Sequence, residues 1–212
     1  MRAASLAPLV LGAGLAACGP HAAPDHATPF FSALPLGAPP QLPVPAGNPV
    51  TAARVELGRR LFFDTRLSRD RTHSCGSCHR ANLAFTDGRP TAVGTGGAVG
   101  RRNAPTLLNR AYGESMFWDG RVRTLEEQAL LPMTSPLELA NTHEEIERRL
   151  AASASYRRAF ARAYGSEPIT IERVAAAIAS FERHHGFRRH ALRPGPDSQG
   201  LRRARPAGAH GP

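Results

Sequence analysis

Apolar residues recur at helical spacing through the middle of the chain, and no convincing alternating strand appears. Val55, Leu57, Leu61 and Phe62 share a face over 51–63. Thr142-His143-Glu144-Glu145 reads as a capping box opening a helix through Ile146 and Leu150. Tyr156 and Phe160 carry a further helix that stops near Gly165. Ile171, Val174, Ala175, Ile178 and Phe181 fall at i, i+3, i+4, i+7 and i+10, an amphipathic helix. Between 84 and 120 the chain is rich in Gly, Asn and Pro, which predicts ordered loop with short helices. The expected fold class is therefore mostly α. Long loops around few helices leave the core short of apolar mass, and a large buried cofactor is expected to supply the rest.

The flanks look different. Residues 19–50 hold nine Pro and almost no periodic pattern, an extended spacer. Residues 183–212 hold seven Arg against one acid, Asp197. That stretch has no helical period and only Phe187 as an aromatic, so it reads as a solvated, disordered tail. The whole chain of 212 residues has a net charge of +10 and not one Lys. With no aromatic platform beside the Arg residues, that excess does not imply a nucleic-acid partner.

The N-terminus carries Arg2, an apolar run from Leu6 to Leu15, and Leu15-Ala16-Ala17-Cys18-Gly19. This is an export signal, too short to span a bilayer. Its end resembles a bacterial lipobox, in which Cys18 becomes the lipidated N-terminus and anchors the protein to a membrane. An ordinary signal peptide with an incidental Cys is the alternative. The expected organisation is a lipoprotein-type signal peptide at 1–18, a Pro-rich linker at 19–50, a folded domain at 51–183 and an Arg/Pro/Gly-rich tail at 184–212. The expected location is the periplasmic side of a bacterial membrane, lipid-anchored or soluble.

Cys75-Gly76-Ser77-Cys78-His79 is C-x-x-C-H, the attachment signature for haem c. Thiols at i and i+3 on one helical turn reach the two vinyl groups of a porphyrin. His79 then lies under the ring and offers an imidazole nitrogen to iron. Small Gly76 and Ser77 let the ring edge approach the backbone. Three other readings compete. A structural zinc site lacks its second pair of ligands, and a redox pair lacks the usual β-α-β context. A Cys75–Cys78 disulfide fits an oxidising compartment.

Beyond that motif, the chain resembles the N-terminal haem domain of bacterial di-haem cytochrome c peroxidases and their MauG-like relatives. The matching stretches are L-G-R-R-L-F-F-D-T-R-L-S at 57–68, C-G-S-C-H at 75–79, F-T-D-G at 85–88, R-N-A-P-T-L-L-N at 102–109, F-W-D-G-R at 117–121 and L-E-E-Q-A at 125–129. The resemblance implies a cytochrome c-like helical domain around one covalent haem. It also implies reduction of hydrogen peroxide with electrons from a small redox protein, a cytochrome c or a cupredoxin. Glu138 and Gln128 fall where the family keeps its catalytic Glu and Gln. Heterolysis of the O–O bond needs a proton moved from one oxygen to the other, which a carboxylate can do as general acid–base. Trp118, the only Trp, matches a residue that helps carry electrons between two haems; a core or interface anchor is the plain reading. Asn103 matches an Asn of a calcium site, though calcium takes six to eight oxygens.

Two departures stand out. Thr95 occupies the position of a removable distal His, which implies five-coordinate iron with an open face. The family also has a second haem domain with its own C-x-x-C-H, and this chain has no Cys after Cys78. The abrupt change near Arg183 reads as truncation or frameshift of a GC-rich gene, or as a genuine disordered tail. Two other functions remain. One is a mono-haem electron-transfer cytochrome with Met116 or Met133 as sixth ligand. The other is an inactive remnant.

Overall fold

The computed structural model describes residues 41–165 and 168–184. Cys18, the export segment, most of the Pro-rich spacer and the Arg-rich tail lie outside those residues. Six α-helices carry the described fold, with short 3-10 turns between them. No strand occurs among the described residues. Isolated antiparallel bridges at Arg80–Thr86, Val93–Val99 and Met116–Val122 instead pinch the long loops.

Helix α1 (Ala52–Phe62) starts where the Thr51 hydroxyl accepts from the Arg54 N–H at 3.3 Å, an N-cap. It buries Leu57, Leu61 and Phe62, mainly against the last helix, α6 (Ile171–His184). Gly58 permits that crossing. A Cβ there would lie 1.9 Å from the backbone oxygen of Ala177. The stripe predicted on α6 is the one buried, with Val174, Ala175, Ile178 and Phe181 all in the core.

The packed body begins before position 51. Asn48, 4% exposed, donates through Nδ2 to Glu126 Oε1 at 2.6 Å and to the Ala176 carbonyl at 2.9 Å. It also accepts from Arg54. The end of the Pro-rich stretch is thus fixed by hydrogen bonds that its composition does not reveal.

Helix α2 (Cys75–Cys78) is a single turn. The loop leading to it is held from three sides. Tyr156, on α5 (Ala154–Tyr164), donates to Asp64 Oδ2 at 2.5 Å. Arg149, on α4 (His143–Ala151), donates to the carbonyls of Arg66, Ser68 and Arg69. Asn141 donates to the Leu67 carbonyl at 3.1 Å. A motif on one helical turn cannot hold its own position, since four residues make too few intrahelical bonds. The surrounding elements do that for it.

Helix α3 (Leu125–Thr134) opens with a capping box between Thr124 and Glu127. The box expected at α4 is only half made. Thr142 accepts from the Glu145 N–H at 3.2 Å, but the Glu145 carboxylate is taken by Arg148 and Arg149.

Candidate functional site

Cys75, Cys78 and His79 line a cavity of about 510 Å³. Glu138, Gln128 and Trp118 belong to the same walls, as do Met116, Met133, Asn103 and Glu182. The residues singled out from the sequence, Cys18 and Thr95 apart, are thereby brought together from widely separated parts of the chain.

His79 closes α2 as its C-cap. Its Nδ1 lies 2.9 Å from the Phe85 carbonyl. A carbonyl only accepts, so Nδ1 carries the proton and Nε2 keeps its lone pair. Burial pushes the His79 pKa down, against the pull of the Phe85 and Pro105 carbonyls. The imidazole is thus held in its neutral form, as a metal ligand requires. Cys75 and Cys78 are free thiols, so they form no disulfide here. Burial pushes the Cys75 thiol up to about 12, with the Glu182 carboxyl adding to it, and raises Cys78 as well. Such thiols resist ionisation, unlike those of a redox pair. The space over Gly76 is filled by the Phe63 ring, 2.4 Å from where a Cβ would stand. That residue is small for packing inside the protein.

The turn after α3 brings Glu138 back to the cavity. Leu139 donates to the Pro132 carbonyl, and Glu138 and Ala140 both donate to that of Ser135. Ala140 has φ 52, the left-handed conformation this reversal demands. Burial raises the Glu138 pKa, opposed by a hydrogen bond from Ser135 and by the charge of Arg121.

Thr95 does not line the cavity. It is buried, its N–H donating to the Glu138 carbonyl at 2.8 Å and its hydroxyl to that of Leu139 at 3.4 Å. Gly94 makes the contact possible: a Cβ there would lie 2.3 Å from the Leu137 oxygen and 2.6 Å from that of Glu138.

Trp118 is not a core anchor. It is 60% exposed, with Nε1 donating to the Asn103 carbonyl at 3.2 Å. The Met116–Val122 bridge and the left-handed Phe117 and Gly120 form a tight loop that buries Met116 and turns Trp118 outward. Asn103 is itself exposed. Among the described residues, no three His, Cys, Asp or Glu side chains are grouped to hold a metal ion, and no helix is long and apolar enough to cross a membrane.

Sequence reasoning passed over Glu182. It follows Ile178 by four residues, on the buried stripe of α6, where an acid is out of place. That position was the available signal.

The cavity, two half-buried thiols at one-turn spacing and a neutral imidazole with Nε2 unprotonated fit a covalently held haem, which contributes a redox-active iron. They define a cytochrome c-like haem domain. The sequence profile described as di-haem cytochrome c peroxidase matches residues 52–189, and the chain belongs to that family. The cytochrome c551 peroxidase of Nitrosomonas europaea is 40% identical over 178 residues, covering 84% of this chain and 49% of that protein. The methylamine utilization protein MauG of Methylorubrum extorquens is 43% identical over 146 residues, covering 68% and 41%. A solved MauG-like protein associated with microbial copper homeostasis superposes with a TM-score of 0.66 at 39% identity, covering 73% of this chain and 47% of that one. The chain spans about half the length of the curated relatives it matches.

Proposed function

We propose that this domain is the peroxide-reacting unit of a c-type haem oxidoreductase, reducing hydrogen peroxide with electrons from a small cytochrome c or cupredoxin. The observation that carries the reading is the sharing of one cavity by Cys75, Cys78 and His79 with Glu138 and Gln128.

Cys75 and Cys78 would hold the haem through their sulfurs, and His79 Nε2 would offer its lone pair to the iron. Glu138, its pKa raised by burial, moves the proton between the peroxide oxygens, and the Gln128 amide orients the peroxide. Thr95 would offer no ligand opposite His79, because it lies outside the cavity lining and spends its polar groups on the Glu138–Leu139 backbone. Trp118, in the cavity wall and 60% exposed, is the entry for electrons. Asn103 contributes one oxygen to a calcium site completed elsewhere. The domain works on the periplasmic side of the membrane, anchored through Cys18.

Expression with the haem maturation machinery tests the reading. One haem per chain by pyridine haemochrome, with a matching intact mass, and a high-spin ferric spectrum that responds rapidly to peroxide are expected. Colourless protein with unmodified thiols overturns it and favours the remnant. A low-spin His/Met spectrum favours the electron-transfer cytochrome, for which Met116 and Met133 stand in the cavity wall.

A further inference from the structure

Glu182 has no part in the chemistry above. It is 6% exposed and lies in the cavity wall, close enough to raise the Cys75 pKa. Its Oε2 is buried without a hydrogen-bond partner. The neighbouring Arg183 does not satisfy it, because Arg183 gives both terminal nitrogens to Glu126 on α3, at 2.5 and 2.8 Å. A buried carboxylate oxygen with no partner disfavours the anion.

We propose that Glu182 is the proton acceptor coupled to electron entry at this cavity. Its carboxylate takes one proton from solvent as one electron arrives from the donor protein, and releases it when the electron leaves. The inference rests on the haem-binding reading.

An electron added in a low-dielectric pocket leaves a charge that water cannot screen, and a proton nearby cancels it. Other charges around Glu182 are already committed or fixed. Arg183 and Arg110 favour its carboxylate, and Glu126 opposes it. Cys75, on α2, is consumed by the cofactor. His184 follows on the same helix, Glu147 serves the far end of α6 by accepting from the Ile171 N–H, and α1 meets α6 through Gly58 and Phe62. Burial dominates and pushes Glu182 up to about 8. The resting carboxyl is then ionised only toward alkaline pH, and there a negative charge arriving beside it strengthens its hold on a proton.

The test is an electrochemical titration of wild-type, Glu182→Gln and Glu138→Gln holoprotein from neutral to alkaline pH. In the wild type the electron-binding constant is expected to fall tenfold per pH unit within the coupling window, ~59 mV for one electron. Glu182→Gln is expected to be pH-independent, and Glu138→Gln to keep the wild-type slope. A flat wild type, a slope that survives in Glu182→Gln, or one lost in Glu138→Gln overturns the proposal. Should Glu182→Gln fail to take up haem, the reduced-minus-oxidised infrared spectrum of the wild type decides: a gained carboxylic acid C=O band supports Glu182, and its absence overturns it. Colourless wild-type protein sinks the haem reading instead, whereas coloured protein with a pH-independent potential sinks only this inference.

Discussion

The 2.9 Å hydrogen bond from His79 Nδ1 to the Phe85 carbonyl fixes which imidazole nitrogen is free to bind iron. Phe85 can do this only because it has φ 59, a conformation that costs a bulky residue energy. Ala84 beside it has φ 53. Two successive left-handed residues turn the chain sharply, and the Arg80–Thr86 bridge closes the turn. Strain in this loop is thus held next to the ligand it orients.

Glu138→Gln keeps the shape of the side chain and removes its acid. The peroxide reaction is expected to slow by about 10²–10⁴-fold, the usual contribution of a general acid–base, while haem content stays at wild type. Gln128→Leu removes one neutral hydrogen bond, worth about 1 kcal/mol, so a loss nearer fivefold is expected. Stopped-flow mixing of ferric protein with peroxide measures both. A Glu138→Gln variant reacting at the wild-type rate would end the assignment.

Gly94→Ala places a methyl group against the Leu137 and Glu138 carbonyls, at 2.3 and 2.6 Å. Backbone cannot rotate out of the way as a side chain can, so the Glu138 segment must shift. The expected result is a destabilisation of about 1–3 kcal/mol, with a loss of peroxide reactivity approaching that of Glu138→Gln. Urea melts and stopped-flow rates on the same sample check this. Unchanged reactivity would show that the position of Glu138 does not depend on this contact.

The helices were legible because their apolar positions repeat: Leu57, Leu61 and Phe62, or Val174, Ile178 and Phe181, need only a period to be seen. The haem ligands were legible because five consecutive residues carry the chemistry. The joins were not. Asn48 sits in a Pro-rich stretch, and its burial depends on Glu126 and Ala176, 78 and 128 residues away. Trp118 looked like a core residue by type, but a loop closed by Met116 and Val122 turns it outward. Glu145 looked like a capping partner, but two arginines on its own helix compete for it. In each case a contact distant in sequence, a competing partner or the backbone of a tight loop decided what the pattern of residue types left undecided.

Glu126 and Arg183 form a bidentate pair that ties α3 to α6 behind the cavity. Burial works against the Glu126 charge, but hydrogen bonds from Arg183 and Asn48 outweigh it and hold the pKa below the ordinary carboxylate range. Arg183 is 5% exposed at its side chain and Glu126 23%, so solvent screens the pair little. Glu126→Gln is expected to cost about 3 kcal/mol, because it leaves a buried guanidinium without its counter-charge. Replacing both residues by apolar ones should cost less than the single change. A chemical-denaturation cycle decides, and additive effects would mean that the two residues act independently.

Glu182 gives stability a pH dependence of definite sign. Its pKa is raised from the ordinary 4.5 to about 8 by burial. The unfolded chain therefore releases this proton at lower pH than the folded one, and folding favours the protonated acid. The contribution is fully present below 4.5, declines as pH rises, and is lost above about 8. Glu182→Gln mimics the neutral acid at every pH. The difference in urea midpoint between variant and wild type should grow in favour of the variant from 4.5 to about 8, then stay constant. A difference that does not change with pH would mean that Glu182 keeps an ordinary acidity inside the fold. That result would also remove the reason for it to take up a proton when an electron arrives.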